Sequence, residues 1–84
     1  RMVRTSFSGQ EIASVLTSHG YHPVDRTGSH LKLRYEHPDT GEVRVVTVPM
    51  KSADLIPTGT LQSIADQCGA KDFHAWCRWL DENR

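Results

Sequence analysis

Three side chains able to work on a phosphodiester recur at alternate positions in one short stretch, Gly28-Ser29-His30-Leu31-Lys32-Leu33-Arg34-Tyr35. Side chains alternate across a β-strand, so His30, Lys32 and Arg34 share one face and Leu31, Leu33 and Tyr35 the other. Cleaving RNA without a metal requires a base for the ribose 2′-hydroxyl proton, positive charge for the phosphorane, and an acid for the leaving 5′-oxygen. Histidine suits the proton work, because its free pKa of about 6.5 leaves both forms populated near neutrality. Lysine and arginine supply fixed charge for the phosphate oxygens. Along a strand the three stand roughly 6.6–6.8 Å apart, about one nucleotide step. Ser29 and the backbone amides near Gly28 offer hydrogen bonds to phosphate. Gly28 itself suits either a positive φ or a close approach of the substrate backbone. Residue types alone leave a plain solvated strand face as the alternative.

The other reactive residue types make weaker patterns. His22, His37 and His74 stand in no comparable constellation, and His19 extends the apolar stripe of a helix, where a structural or capping role fits. Cys68 and Cys77 form neither a disulfide framework nor a Cys-x-x-Cys pair. With His74 they would offer zinc only three ligands, so the expectation is two buried, reduced thiols and no metal or other cofactor.

The elements that must hold the His30 face can be read from capping residues and periodicity. Ser8 and Glu11 have the spacing of a capping box, with Phe7 and Ile12 placed as its hydrophobic staple. Ile12, Val15 and Leu16 continue at helical spacing to Gly20, which suits a left-handed terminator. Tyr21 to Arg26 reads as a short extended segment that Pro23 marks as an edge strand. Thr27-Gly28 supplies a turn, Ser29 to about His37 the second strand, and Pro38-Asp39-Thr40-Gly41 the next turn. The third strand runs from Glu42 to about Val48. Valines fall on both of its faces, which leaves its register open and admits a bulge near Val45. Pro49 ends the sheet, and Met50 to Pro57 is a connecting loop. Leu61, Ile64, Ala65 and Cys68 then mark a second helix closed by Gly69. A last helix from about Lys71 puts Phe73, Trp76, Cys77 and Leu80 on one side, with Trp79 off that stripe. The expected fold is α+β, with a three-stranded antiparallel sheet, helices on one of its faces, and the other face open around His30.

Composition sets the outer limits. At 84 residues there is room for one domain, expected over residues 8–84 after a flexible tail at 1–7. Met2 reads as the natural start, with Arg1 a leftover residue. No apolar run approaches the roughly 20 residues that cross a membrane, and no secretory signal is visible, so a cytoplasmic location is expected. Ten basic residues balance ten acidic ones. The mildly basic middle (Arg26, Lys32, Arg34, Arg44 and Lys51 against Glu36, Asp39 and Glu42) is the only charge asymmetry that favours a polyanion.

Motif order adds what chemistry alone does not. Ser8-Gly9-Gln10-Glu11, His19-Gly20-Tyr21, Gly28-Ser29-His30, Val46-Thr47-Val48-Pro49, Gly59-Thr60-Leu61-Gln62-Ser63-Ile64 and Cys68-Gly69 follow one another as in the HicA (YcfA-like) toxins. The chain resembles that family of mRNA interferases from about Ser8 to Leu80. The resemblance implies a double-stranded-RNA-binding-domain-like fold with an extra C-terminal helix, metal-independent mRNA cleavage, and a HicB-type antitoxin that covers the active face. It also implies that His30, in Gly-Ser-His, is the essential histidine. Relatives often carry a histidine shortly after the strand-ending proline. Here Met50 and Lys51 follow Pro49, and Lys51 offers charge without ready proton exchange at neutral pH. The expected site is therefore His30 for catalysis, with Gly28, Ser29, Lys32, Arg34 and Lys51 binding RNA. Two other readings stand beside it: a non-catalytic RNA-binding module, and a protein-interaction domain centred on the last helix around Trp79.

Overall fold

The computed structural model describes residues 3–51 and 55–84. Its elements are α1 (Gly9–Ser18), β1 (His22–Thr27), β2 (His30–Glu36), β3 (Val43–Pro49), α2 (Thr58–Gln67) and α3 (Phe73–Asn83). The sheet is antiparallel in the order β1-β2-β3, so the fold is α+β as expected. Positions 52–54 of the expected connecting loop lie outside the described residues.

Helix α1 begins where the sequence places it. The Ser8 hydroxyl accepts from the Glu11 N–H at 3.2 Å, and the Glu11 carboxylate accepts from the Ser8 N–H at 3.0 Å. Two orphan amides are thus satisfied reciprocally. Phe7 and Ile12 are both buried at the cap. Ahead of it, the Arg4 guanidinium sits 4.8 Å from the Phe7 ring centroid and pairs with Glu11 at 3.0 Å. Gly20, at φ +93°, closes the helix while the Tyr21 N–H returns to the Leu16 carbonyl. Gly69, at φ +80°, ends α2 in the same way, with Ala70 donating to Ala65. Helix α3 starts at Phe73 rather than Lys71, because Asp72 is extended and spends its carboxylate on capping the Ala75 N–H.

The sheet resolves what two valine-bearing faces left open. Leu33 pairs with Val46 and Leu31 with Val48, which turns Arg44, Val46 and Val48 toward the helices. Val43 and Val45 face outward and are nearly half exposed. The β2–β3 register is continuous from His30–Pro49 to Glu36–Val43, so β3 carries no bulge at Val45, a possibility the sequence alone leaves open. A register shift falls in β1 instead, between Pro23 and Asp25. Strand limits differ from expectation by one residue. Pro49 is the last strand residue rather than the first beyond it, which costs little because a terminal position needs no further ladder bond.

Leu33, Val46 and Val48 from the sheet meet Ile12, Val15 and Leu16 of α1, Leu61 and Ile64 of α2, and Trp76, Cys77 and Leu80 of α3. Each such side chain contributes about 1.5–3 kcal/mol on full burial. Helix α2 also covers the outer edge of β3, where the Gln67 side chain accepts the Thr47 N–H at 2.9 Å. The helices line one side of the sheet, and no described element covers the other. Among the described residues no helix is long and apolar enough to cross a membrane.

Candidate active site

The open face of the sheet is built from residues that pair directly across strands. Thr27 lies opposite His30 and Asp25 opposite Lys32 on one side, with Pro49 opposite His30 and Thr47 opposite Lys32 on the other. Directly opposed residues have Cβ atoms about 4.5–5.5 Å apart, so these five form a contiguous patch around the imidazole. Asp25, Thr27, His30, Lys32 and Thr47 together line a depression of about 250 Å³.

A two-residue hairpin turn sets His30 at the head of this patch. Thr27 and His30 form the closing pair, and Gly28 takes φ +58° between them. A side chain at Gly28 would meet nothing within 4 Å, so backbone conformation, not crowding, calls for glycine here. The Ser29 carbonyl accepts the Met50 N–H, which ties the turn to the end of β3. At that end a Cβ added to Gly9 would lie 1.8 Å from the Pro49 carbonyl oxygen, so α1 rests directly on the residue paired with His30.

The shift in β1 determines which acid joins the patch. His22 opposes Arg34 and Pro23 opposes Leu33, but Asp25 rather than Val24 opposes Lys32. Without the extra residue Asp25 would fall opposite Leu31, on the helix side of the sheet. A bulge re-aims side chains by this one-residue slip. It puts a carboxylate beside Lys32 and diagonal to His30. One oxygen of Asp25 accepts the Arg26 N–H at 2.8 Å.

The six expected site residues are thus not all together. His30 and Lys32 line the depression, with Gly28 and Ser29 in the turn immediately before it. Arg34 lies one strand repeat farther along the same face and pairs with Glu36 at 3.1 Å. Both partners are well exposed, and a pair of that kind holds less than about 1 kcal/mol, so an incoming anion can displace the carboxylate. Lys51 lies beyond β3 and lines a separate hollow with Pro49, Leu55, Ile56 and Pro57. Asp25, Thr27 and Thr47 were missed from sequence. Only pairing, and for Asp25 the bulge, brings them to His30, and Pro23 was the single local sign of irregularity. Cys68 and Cys77 are buried and free, and burial pushes both thiols up, away from nucleophilic reactivity. Trp79 is half-buried, packed edge-on against His19 with centroids 4.8 Å apart.

The patch offers an exposed proton carrier, a fixed cation beside it, an acid, and two hydroxyls. These are the groups needed to transfer a proton next to a phosphodiester. Comparison with known proteins points the same way. The family model for the HicA toxin of bacterial toxin–antitoxin systems matches residues 9–70, from the first residue of α1 to the residue after the Gly69 terminator. Neither a curated protein nor a solved structure matches the chain. The matched span contains the whole open face and stops short of α3.

Proposed function

The chain belongs to the HicA toxin family of bacterial toxin–antitoxin systems, and we propose that it is a metal-independent endoribonuclease that cleaves mRNA with His30 as general acid or base. The family is one of ribonuclease-type toxins, and membership implies an antitoxin partner. The observation that carries the proposal is the exposed His30 beside Lys32 and Asp25, on a sheet face that no helix covers. As base, the imidazole takes the 2′-hydroxyl proton while that oxygen attacks phosphorus. The P–O5′ bond then breaks, and the departing oxygen takes a proton from the imidazolium or from water, leaving a 2′,3′-cyclic phosphate and a 5′-hydroxyl. Lys32 faces the phosphate oxygens, whose negative charge grows in the transition state. Arg34, Lys51 and the Gly28-Ser29 turn bind neighbouring phosphates. Asp25, diagonal to His30 on the same face, adds negative charge near the imidazolium that forms. Side chains supply both the proton carrier and the charge, which is why the reading needs no metal.

The same reading assigns residues 8–84 to one domain that acts in the cytoplasm, where mRNA is found. Its partner is a HicB-type antitoxin seated over the open face, which would exclude RNA from His30. The test is cleavage of RNA in the presence of a chelator by the chain and by its His30→Ala variant. General acid–base catalysis is worth about 10²–10⁴-fold, so the variant should lose that much rate while keeping its melting temperature. Equal cleavage by the two proteins overturns the assignment.

A further inference from the structure

On the helix side of the sheet, at the end of β2 away from His30, lies a larger cavity of about 370 Å³, within the usual size range of ligand sites. Six of its lining residues carry rings, and Arg44 supplies a guanidinium. Tyr35 stacks on Tyr21 with centroids 5.0 Å apart, His37 stands edge-on to Tyr35 at 6.3 Å, and Trp79 faces His19 from α3. Arg44 is held in place by Glu42 at 3.2 Å and by the Cys68 carbonyl. No lining residue carries a carboxylate.

The two imidazoles are fixed in opposite senses. His19 Nδ1 lies 2.8 Å from the Val15 carbonyl, which can only accept, so Nδ1 bears the hydrogen and, in the neutral ring, Nε2 is the acceptor. His37 Nδ1 receives the N–H groups of Asp39 and Thr40 at 3.1 and 3.3 Å, so Nε2 bears the hydrogen and is a donor. One ring therefore offers an acceptor and the other a donor, between aromatic walls and beside a cation. A purely hydrocarbon side chain has no use for that pair of polar groups. A nucleobase has both a flat face to stack and an edge that alternates donors with acceptors.

We propose that this cavity binds one base of the RNA substrate. The inference rests on the ribonuclease reading and adds a base-recognition subsite to it. Tyr35 is five residues from His30, or about 16–17 Å along the strand. RNA that lies across Lys32 and Arg34 on the open face must round the end of β2, past His37, to place a base in the cavity. Trp76 and Trp79 come from α3, outside the span matched by the family model, so the subsite draws on this chain's own C-terminal helix.

The chain's two tryptophans both line the cavity, so its intrinsic emission reports occupancy directly. The test titrates the intact protein with AMP, GMP, CMP and UMP, and in parallel with ribose 5-phosphate and N-acetylphenylalaninamide. The expected result is saturable quenching by at least one nucleotide, none by ribose 5-phosphate, and affinity about tenfold weaker in His37→Asn, which keeps an acceptor for the turn but loses the ring. Absence of saturable quenching by every nucleotide overturns the proposal, as does equal quenching by ribose 5-phosphate. Quenching by the phenylalanine amide alone also overturns it, in favour of a protein side chain. None of these readouts needs cleavage. A chain that binds nucleotides but cuts no RNA would refute the ribonuclease reading and leave the subsite standing, and the converse result would do the reverse.

Discussion

Gly9 and Pro49 are in such close contact that a methyl group cannot be placed between them: a Cβ on Gly9 would lie 1.8 Å from the Pro49 carbonyl oxygen and 2.9 Å from its carbon. Both obstructing atoms are backbone, so relief requires moving either α1 or the end of β3. Pro49 pairs with His30, which makes this contact a support for the candidate catalytic residue. Gly9→Ala is expected to destabilise the fold by about 1–3 kcal/mol, the usual cost of overpacking, measured by denaturant melts. Cleavage by the folded fraction should fall as well. Unchanged stability would mean the contact is looser than described.

Gly28 gives the complementary case, where conformation alone is at stake. Its φ of +58° disfavours any side chain, while the space around it is empty. Gly28→Ala should cost about 1–2 kcal/mol of stability, and Gly28→Asn less, since asparagine tolerates the left-handed region better. Thermal melts of the two variants check the order.

Lys32 and Arg34 should separate binding from folding. Both are exposed, and Arg34 pairs with the likewise exposed Glu36. Lys32→Gln or Arg34→Gln is expected to leave the unfolding free energy within about 0.5 kcal/mol of the parent. In the His30→Ala background each should weaken RNA binding and lower the slope of log K against log salt by about 0.7, as expected when one phosphate contact on a single strand is lost.

Glu11 and Tyr21 tie stability to pH in opposite directions. Glu11 is held below its ordinary value of 4.5, chiefly by the Ser8 N–H and then by Arg4 and Arg84. Its contribution is present above that ordinary value and is lost as pH falls through the depressed one, so Glu11→Gln should flatten the acid side of a stability profile. Burial raises the Tyr21 hydroxyl well above its ordinary 10.0, with the neighbouring Cys68 adding to the shift. That contribution is complete below 10.0 and declines as pH rises beyond it. Tyr21→Phe should therefore remove part of the alkaline loss, read from melts across the same series.

What could be read from the chain was what local chemistry decides. The Ser8–Glu11 box, the two glycine terminators and the alternation of His30 to Tyr35 each depend on residues within a few positions of one another. The facing of β3 did not, because its valines satisfy either side. Only the pairing of Tyr35 with Arg44 and of Leu33 with Val46 decides it. Asp25 was hidden for a stronger reason. Simple alternation from Tyr21 gives it the wrong face, and one extra residue in β1 reverses that assignment. The cavity between His19 and His37 is less legible still, since it draws on α1, β2, the following turn and α3 together.

The alternation in β2 also governs how this protein can change. Leu33 is fully enclosed, and its neighbours Lys32 and Arg34 are open to solvent. Truncating Leu33 to alanine forfeits about 2–5 kcal/mol, a large share of what a domain of this size has to spare. The adjacent positions can be altered at almost no structural expense. On the ribonuclease reading, lesions at Lys32 or Arg34 are expected to leave an intact protein with weakened RNA binding, whereas a lesion at Leu33 lowers the stability of the whole fold. A lineage under pressure to escape its own poison has a short route to the former, and the resulting inert copy would keep the shape that its neutralising partner grips.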